Sequence, residues 1–225
     1  MAAPVLAAVT NRIILDEQFF VHATRELCER DTDLDAVINK YGLPPLWTRE
    51  PGFPTLVYII LEQQVSLASA RALYLRLQEA VKPFTPGRFL KLTEAEMRRL
   101  GFSRQKAHYT RLLAEAIQRK QFALHKLHEL EDELAREQLT ALKGIGNWTA
   151  DIYLLSALRR PDIWPTGDLA LATAVQEVKR LRKRPSPEKL EIMSTPWRPW
   201  RAVAARLFWH AYLSKRGQRS ATVSL

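Results

Sequence analysis

A chain of 225 residues, 47% of them hydrophobic, is long enough to bury a substantial core as one large domain or two small lobes. Its 34 lysines and arginines outnumber 24 aspartates and glutamates, and the net charge of +10 favours a polyanionic partner without naming one. The single cysteine, Cys28, excludes an internal disulfide and a four-cysteine iron–sulfur cluster and suits a reducing compartment, and no apolar run reaches the ~18 residues that span a bilayer.

Residues 16–28 and 32–41 read as an opening pair of helices, closed by Gly42 and the Pro44-Pro45 break, with Cys28 as buried filler on the first. A loop rich in proline and glycine, 44–54, marks a first boundary. Pro54 suits the first turn of an apolar helix reaching about Glu62, and Ser66 caps another running through Ala68, Leu73, Leu77 and Val81. Between them, Gln63, Gln64, Val65 and Ser66 interrupt the apolar pattern. Thr93 followed by Glu96 fits a capping box that Gly101 stops, and Ser103 caps a helix with Tyr109, Leu112, Leu113 and Ile117 on one face.

Apolar residues recur at helical spacing over 133–142 and again over 147–158. Pro161 and Pro165 then break the chain, Asp168 opens a further helix, and the proline-bearing segment 185–199 separates it from the last one. With 8 glycines and no sustained period-2 segment, the chain reads as all-α. Basic residues crowd the C-terminal third: Lys179, Arg180, Arg182, Lys183 and Arg184, then Arg198, Arg201, Arg206, Lys215, Arg216 and Arg219. Such a run is either a solvated face or a phosphate-facing strip. Among the histidines only His125 and His128 have a spacing that suggests a metal, and solvated surface is the better reading there.

The most informative stretch lies between residues 139 and 171. Gly144 and Gly146 flank Ile145 between two helical patterns, and glycines one residue apart let the backbone turn sharply and approach a ligand closely. The helix start that follows carries partial positive charge and favours an anion such as a phosphate. Taken alone, two such glycines are more often only a tight turn between helices. Asp168 is similarly two-sided: an aspartate at a helix start is a common N-cap worth about 1 kcal/mol, and it is also a carboxylate presented at a turn. Both roles can hold at once.

The longer string is more specific. Leu139, Leu142, Gly144, Ile145, Gly146, Thr149 and Ala150 resemble the helix-hairpin-helix signature of DNA repair glycosylases. Trp164-Pro165-Thr166-Gly167-Asp168 resembles the turn that presents the catalytic aspartate in the 3-methyladenine DNA glycosylase II family. Three further blocks, residues 61–66, 100–107 and 197–201, are similar to that family in order and spacing, and the resemblance runs from roughly Pro54 to Ala211.

The resemblance implies an all-α, two-lobed helix-hairpin-helix DNA glycosylase fold, with the active site in the cleft between lobes and no N-terminal β-rich lobe. Residues 1–50 and 166–225 would form a discontinuous lobe carrying Asp168, and 51–165 a central lobe with the hairpin. The implied activity is that of a monofunctional glycosylase of base excision repair. It would flip alkylated purines of the 3-methyladenine and 7-methylguanine type out of double-stranded DNA and hydrolyse the N-glycosidic bond, leaving an abasic site.

Asp168 would stabilise the positive charge that develops on the sugar. Trp148, Trp209 and, less strongly, Tyr153 would wall the pocket for a cationic base, although each also fits ordinary core packing. Gln63, Gln64 and Ser66 lie on the segment that enters the base stack in the family, with Gln64 where some members carry an apolar wedge. Lys143, Gly144, Ile145, Gly146 and Thr149 would meet DNA. Related lyases carry a lysine nucleophile where this chain has Trp148, so strand cleavage is not expected.

No cofactor or iron–sulfur cluster is implied, although Na+ or K+ would sit on the backbone of Thr140, Leu142 and Ile145. The expected partner is duplex DNA containing damaged bases, bound by a monomer with no membrane association. The expected location is the cytoplasm, at the nucleoid in a bacterium. Two alternatives stay open: a non-catalytic helix-hairpin-helix DNA-binding protein in which Asp168 is only a cap, and a glycosylase for another lesion class.

Overall fold

The computed structural model describes residues 13–217; Arg219 of the basic run lies outside them. Among the described residues there are twelve α-helices, two short 3-10 helices and no strand. The opening pair is α1 (Glu17–Arg30) and α2 (Thr32–Tyr41), followed by α3 (Phe53–Glu62) and α4 (Leu67–Ala80). Next come α5 (Pro86–Phe89), α6 (Glu94–Leu100) and α7 (Arg104–Gln118). The hairpin joins α8 (Asp132–Thr140) to α9 (Asn147–Ser156), and α10 (Leu169–Val178), α11 (Pro187–Ser194) and α12 (Arg201–Lys215) complete the chain.

Local chemistry sets most of these boundaries. The hydroxyls of Ser66 and Ser103 each accept a backbone N–H three residues on, at 3.2 Å. Thr93 and Glu96 form a complete capping box, with the Glu96 carboxylate on the Thr93 N–H at 2.7 Å. The segment 185–199, expected as a break, instead contains α11. Ser186 caps that helix, and Pro187 occupies its first turn, where the missing amide has no intrahelical partner to lose. There the proline begins a helix rather than interrupting one. Thr85 and Pro86 begin α5 in the same way.

The helices α1, α2, α10 and α12 pack on one another, while α3 packs on α4, α7 and α9, with α8 against α9 and α5 and α6 against α7. One continuous hydrophobic core joins both sets, from Leu56, Ile59 and Ile60 of α3 to Leu207 and Phe208 of α12. Arg206 of α12 is fully buried and, among the described residues, has no carboxylate on it; it donates to the carbonyls of Leu46 at 2.7 Å, Leu155 at 2.9 Å and Ala202 at 2.9 Å. That fan of bonds fastens the 43–52 loop and the end of α9 to α12, and burial lowers the guanidinium pKa to about 9. Half-buried Cys28 on α1 has its thiol pKa raised by burial and by nearby carboxylates, which keeps it protonated and inert.

Much of the basic run of the C-terminal third is paired with carboxylates of the chain itself. Lys179 pairs with Asp31 and Asp33, Arg201 with Asp162 and Glu191, and Lys215 and Arg216 with Glu177. Arg182, Lys183 and Arg184 stay exposed. Among the described residues no helix is long and apolar enough to cross a membrane.

Candidate active site

The hairpin between α8 and α9 closes through the Ile145 N–H, which donates to the Leu142 carbonyl at 3.0 Å. Gly144 has φ +93°, and a Cβ there would lie 2.1 Å from the Tyr109 ring, so both backbone and packing demand glycine. Gly146 differs from its neighbour: its φ of −94° suits any residue. It is exposed, a Cβ on it would meet nothing within 4 Å, and it begins α9 with no side chain capping the first amides. The sharp turn therefore belongs to Gly144, and Gly146 leaves open space in front of a helix N-terminus. An uncapped start of this kind satisfies its amides with an external acceptor.

Several of the residues expected to contact DNA brace this hairpin. Gln63 turns inward, its Nε2 donating to the Gly144 carbonyl and the Thr149 hydroxyl, each at 2.9 Å. Thr149 is 2% exposed and the Ile145 side chain 4%, so neither side chain faces outward. In this structure Gln63 and Thr149 hold the loop 63–66 against the hairpin, and the Ile145 side chain anchors it in the core. Gln64, Val65 and Ser66 are exposed, with Gln64 at φ +56°, as is Lys143 on the hairpin. Lys106 of α7 reinforces the loop by donating to the Leu61 carbonyl at 2.7 Å, and burial lowers its pKa.

Asp168 follows a turn in which its N–H donates to the Pro165 carbonyl at 3.3 Å and Gly167 takes φ +86°. Its Oδ1 caps α10 by accepting from the Leu171 N–H at 2.6 Å. Two indoles from different helices converge on the same carboxylate. Trp148 Nε1 of α9 donates to Oδ2 at 2.8 Å, and Trp209 Nε1 of α12 donates to Oδ1 at 3.3 Å. Both tryptophans are half-buried. Among the described residues no lysine or arginine forms an ion pair with Asp168, so hydrogen bonds rather than a counter-ion orient its charge. Tyr153, expected beside them, is instead fully buried, with its hydroxyl accepting the Gly52 N–H at 3.0 Å; burial pushes its pKa to about 12. It belongs to the core and not to a pocket wall, because α9 turns that face toward α3.

Two buried ionic groups escaped the sequence reading. Arg49 grips Glu62 through two bonds, at 2.7 and 2.9 Å, and Arg136 of α8 donates to Asp151 of α9 at 2.7 Å. Both carboxylates are isolated charges in otherwise apolar helical segments, and that pattern was a usable signal for a buried, paired acid.

An all-helical chain with a glycine hairpin, an uncapped helix start and a carboxylate held at the next one has the architecture of a helix-hairpin-helix DNA repair protein. Residues 57–199 match the HhH-GPD superfamily of base excision DNA repair proteins, and the chain belongs to that family. It is 30% identical over 169 residues to DNA-3-methyladenine glycosylase 1 of Schizosaccharomyces pombe, covering 72% of each chain. The structure of the S. pombe 3-methyladenine DNA glycosylase Mag1 in complex with abasic DNA is similar at a TM-score of 0.75 and 25% identity, covering 87% of this chain and 97% of that one. A DNA-3-methyladenine glycosidase from Bacillus halodurans gives 0.72 at 27% identity, over 88% and 92% of the two chains. The chain spans 66%, 64% and 57% of the length of three further curated relatives.

Proposed function

We propose that this protein is a monofunctional DNA glycosylase that removes alkylated purines from duplex DNA. The observation that carries the proposal is the Asp168 carboxylate, unpaired with any described cation and held by two indole N–H groups, on the helix start that follows the uncapped hairpin. In this reading the amides of Asn147 and Trp148, with Lys143, take a phosphate of one strand, and the damaged nucleotide rotates out of the stack at a cost of a few kcal/mol.

As the C1′–N bond breaks, its electron pair leaves with the base and positive charge develops on the sugar. The Asp168 carboxylate stabilises that charge, an effect of ~3 to 4 kcal/mol for a well-placed group. Water then forms the new C1′–O bond and gives up a proton to the carboxylate. A cationic methylated purine departs as a neutral base, which makes it the better leaving group. Trp148 stands where related lyases carry lysine and its N–H is engaged by Asp168, so the reaction ends at an abasic site.

The proposal includes Na+ or K+ on the backbone of Thr140, Leu142 and Ile145. The turn fits such an ion: Ile145 closes it on the Leu142 carbonyl, and a carbonyl oxygen has a second lone pair to offer. The ion would supply positive charge beside the bound phosphate.

Purified protein incubated with methylated duplex DNA tests the reading. Release of free methylpurines, with strand breaks appearing only after alkali, is expected of a monomer acting alone. Absence of base release overturns it, and strand cleavage without alkali overturns the monofunctional part.

A further inference from the structure

The hairpin and the Asp168 turn are joined by a residue for which the reaction itself has no use. Asp151 lies one turn into α9 and is 2% exposed. Its carboxylate accepts from Arg136 of α8 at 2.7 Å, across the two helices that the hairpin connects. The Thr166 backbone N–H, which donates to the Trp164 carbonyl at 2.9 Å, lines the same cavity as Asp151 and Arg136 and favours the ionised form of the Asp151 carboxylate. Thr166 stands two residues before Asp168, and its hydroxyl donates to Glu191 of α11 at 3.2 Å. Glu191 in turn holds Arg201 of α12 at 2.9 Å.

A cavity of about 460 Å³ opens along this network. Charged groups face it from every side: Arg136, Asp132 and Glu133 from α8, and Asp162 from the chain between α9 and α10. Glu191 of α11, Arg198 in the chain ahead of α12 and Arg201 at the start of α12 complete the wall.

We propose that Asp151 is a positioning residue for the reaction at Asp168: as an anion it ties the strand-gripping hairpin to the turn that presents the carboxylate, and on protonation that tie slackens. The inference rests on the glycosylase reading. A neutral carboxyl loses its charge-assisted hold on Arg136 and its attraction for the Thr166 N–H dipole. Burial raises the Asp151 pKa to about 6 against the opposing pull of Arg136, so the change falls in a mildly acidic window.

The sign of the linkage separates this role from a structural one. Because folding raises this pKa, the contribution of Asp151 to stability is largest below the ordinary carboxylate range and declines as pH rises through about 6. Reactivity climbs over the same window. A purely structural aspartate would move rate and stability together.

The test measures single-turnover base release between about pH 5 and 8 for the full chain, Asp151→Asn and Arg136→Lys. Melting temperature, affinity for abasic-site duplex, and amide exchange over residues 164–168 corrected for intrinsic rates are followed in parallel. The wild-type rate and Thr166 protection should both fall below about pH 6. Asp151→Asn should lose roughly tenfold or more in rate through misplacement of Asp168, show no acid limb in that window, and keep its DNA affinity and melting temperature. Arg136→Lys, which breaks the Nε bond but keeps the charge, should shift the acid limb to higher pH and covers the case in which Asp151→Asn does not fold.

An Asp151→Asn enzyme with wild-type rate and pH profile overturns the inference, as does a rate loss that merely follows a fall in melting temperature. If the wild type releases no base at any pH while Thr166 exchange still titrates, the glycosylase reading fails and the coupling stands. An active enzyme whose Thr166 protection ignores pH overturns the coupling alone.

Discussion

Helix α9 begins at exposed Gly146 with no side chain on its first amides, whereas α10 begins at Asp168, whose own carboxylate takes the Leu171 amide and two indole N–H groups. Both are helix starts with the same partial positive charge. One leaves that charge to an outside anion, and the other carries its anion with it. In the proposed reaction the first start holds the strand and the second meets the sugar, so perturbing them should separate binding from chemistry.

The sharpest break is at Asp168. Asp168→Asn keeps a capping oxygen but removes the charge, and base release should fall by roughly 10²- to 10³-fold, with affinity for abasic-site DNA retained in a binding titration. Full activity in that variant would reduce Asp168 to a cap.

Gly144→Ala attacks the other start through its backbone. A left-handed alanine costs about 1 to 2 kcal/mol and the clash with Tyr109 about 1 to 3 more. Denaturant unfolding should show a loss of about 2 to 5 kcal/mol by the same principles, accompanied by weaker DNA binding.

Trp148 belongs to both sides, since it sits in the first turn of α9 and donates to the α10 carboxylate. Trp148→Phe keeps an aromatic ring and deletes a bond to a charged group worth about 1.5 to 3 kcal/mol. Its single-turnover rate should drop at least about tenfold with affinity unchanged; a wild-type rate would make the indole a packing wall only. Lys143→Ala should have the smallest effect, weakening DNA binding a few-fold and lowering the salt slope by about one counterion, with the rate on bound substrate preserved.

The contrast also marks how far local signals reach. The Thr93–Glu96 capping box, the serine caps and the all-α content follow from residues three or four apart, and the structure repeats them. Segment 185–199 shows the limit: its prolines read as breaks because a proline both ends one helix and opens another, and only the register with Ser186 distinguishes the two. Gln63, Thr149 and Tyr153 carry the residue types of a binding face, yet their partners lie on other elements and draw them inward. Asp151 and Glu62 were visible as lone charges on apolar helices, but not the arginines that pair with them.

By itself the sequence determined most of the helices, the hairpin with its two glycines, and the family to which the turn before Asp168 belongs, because each depends on short-range spacing and backbone freedom. Tertiary structure alone decided which polar groups face a ligand. The indoles reach Asp168 from 20 and 41 residues away, and Arg201 and Arg206 of the basic run turn into the protein while Lys143 stays outside. Charge and residue type are local properties, but whether a group is engaged depends on what the packing of distant helices brings within hydrogen-bond reach.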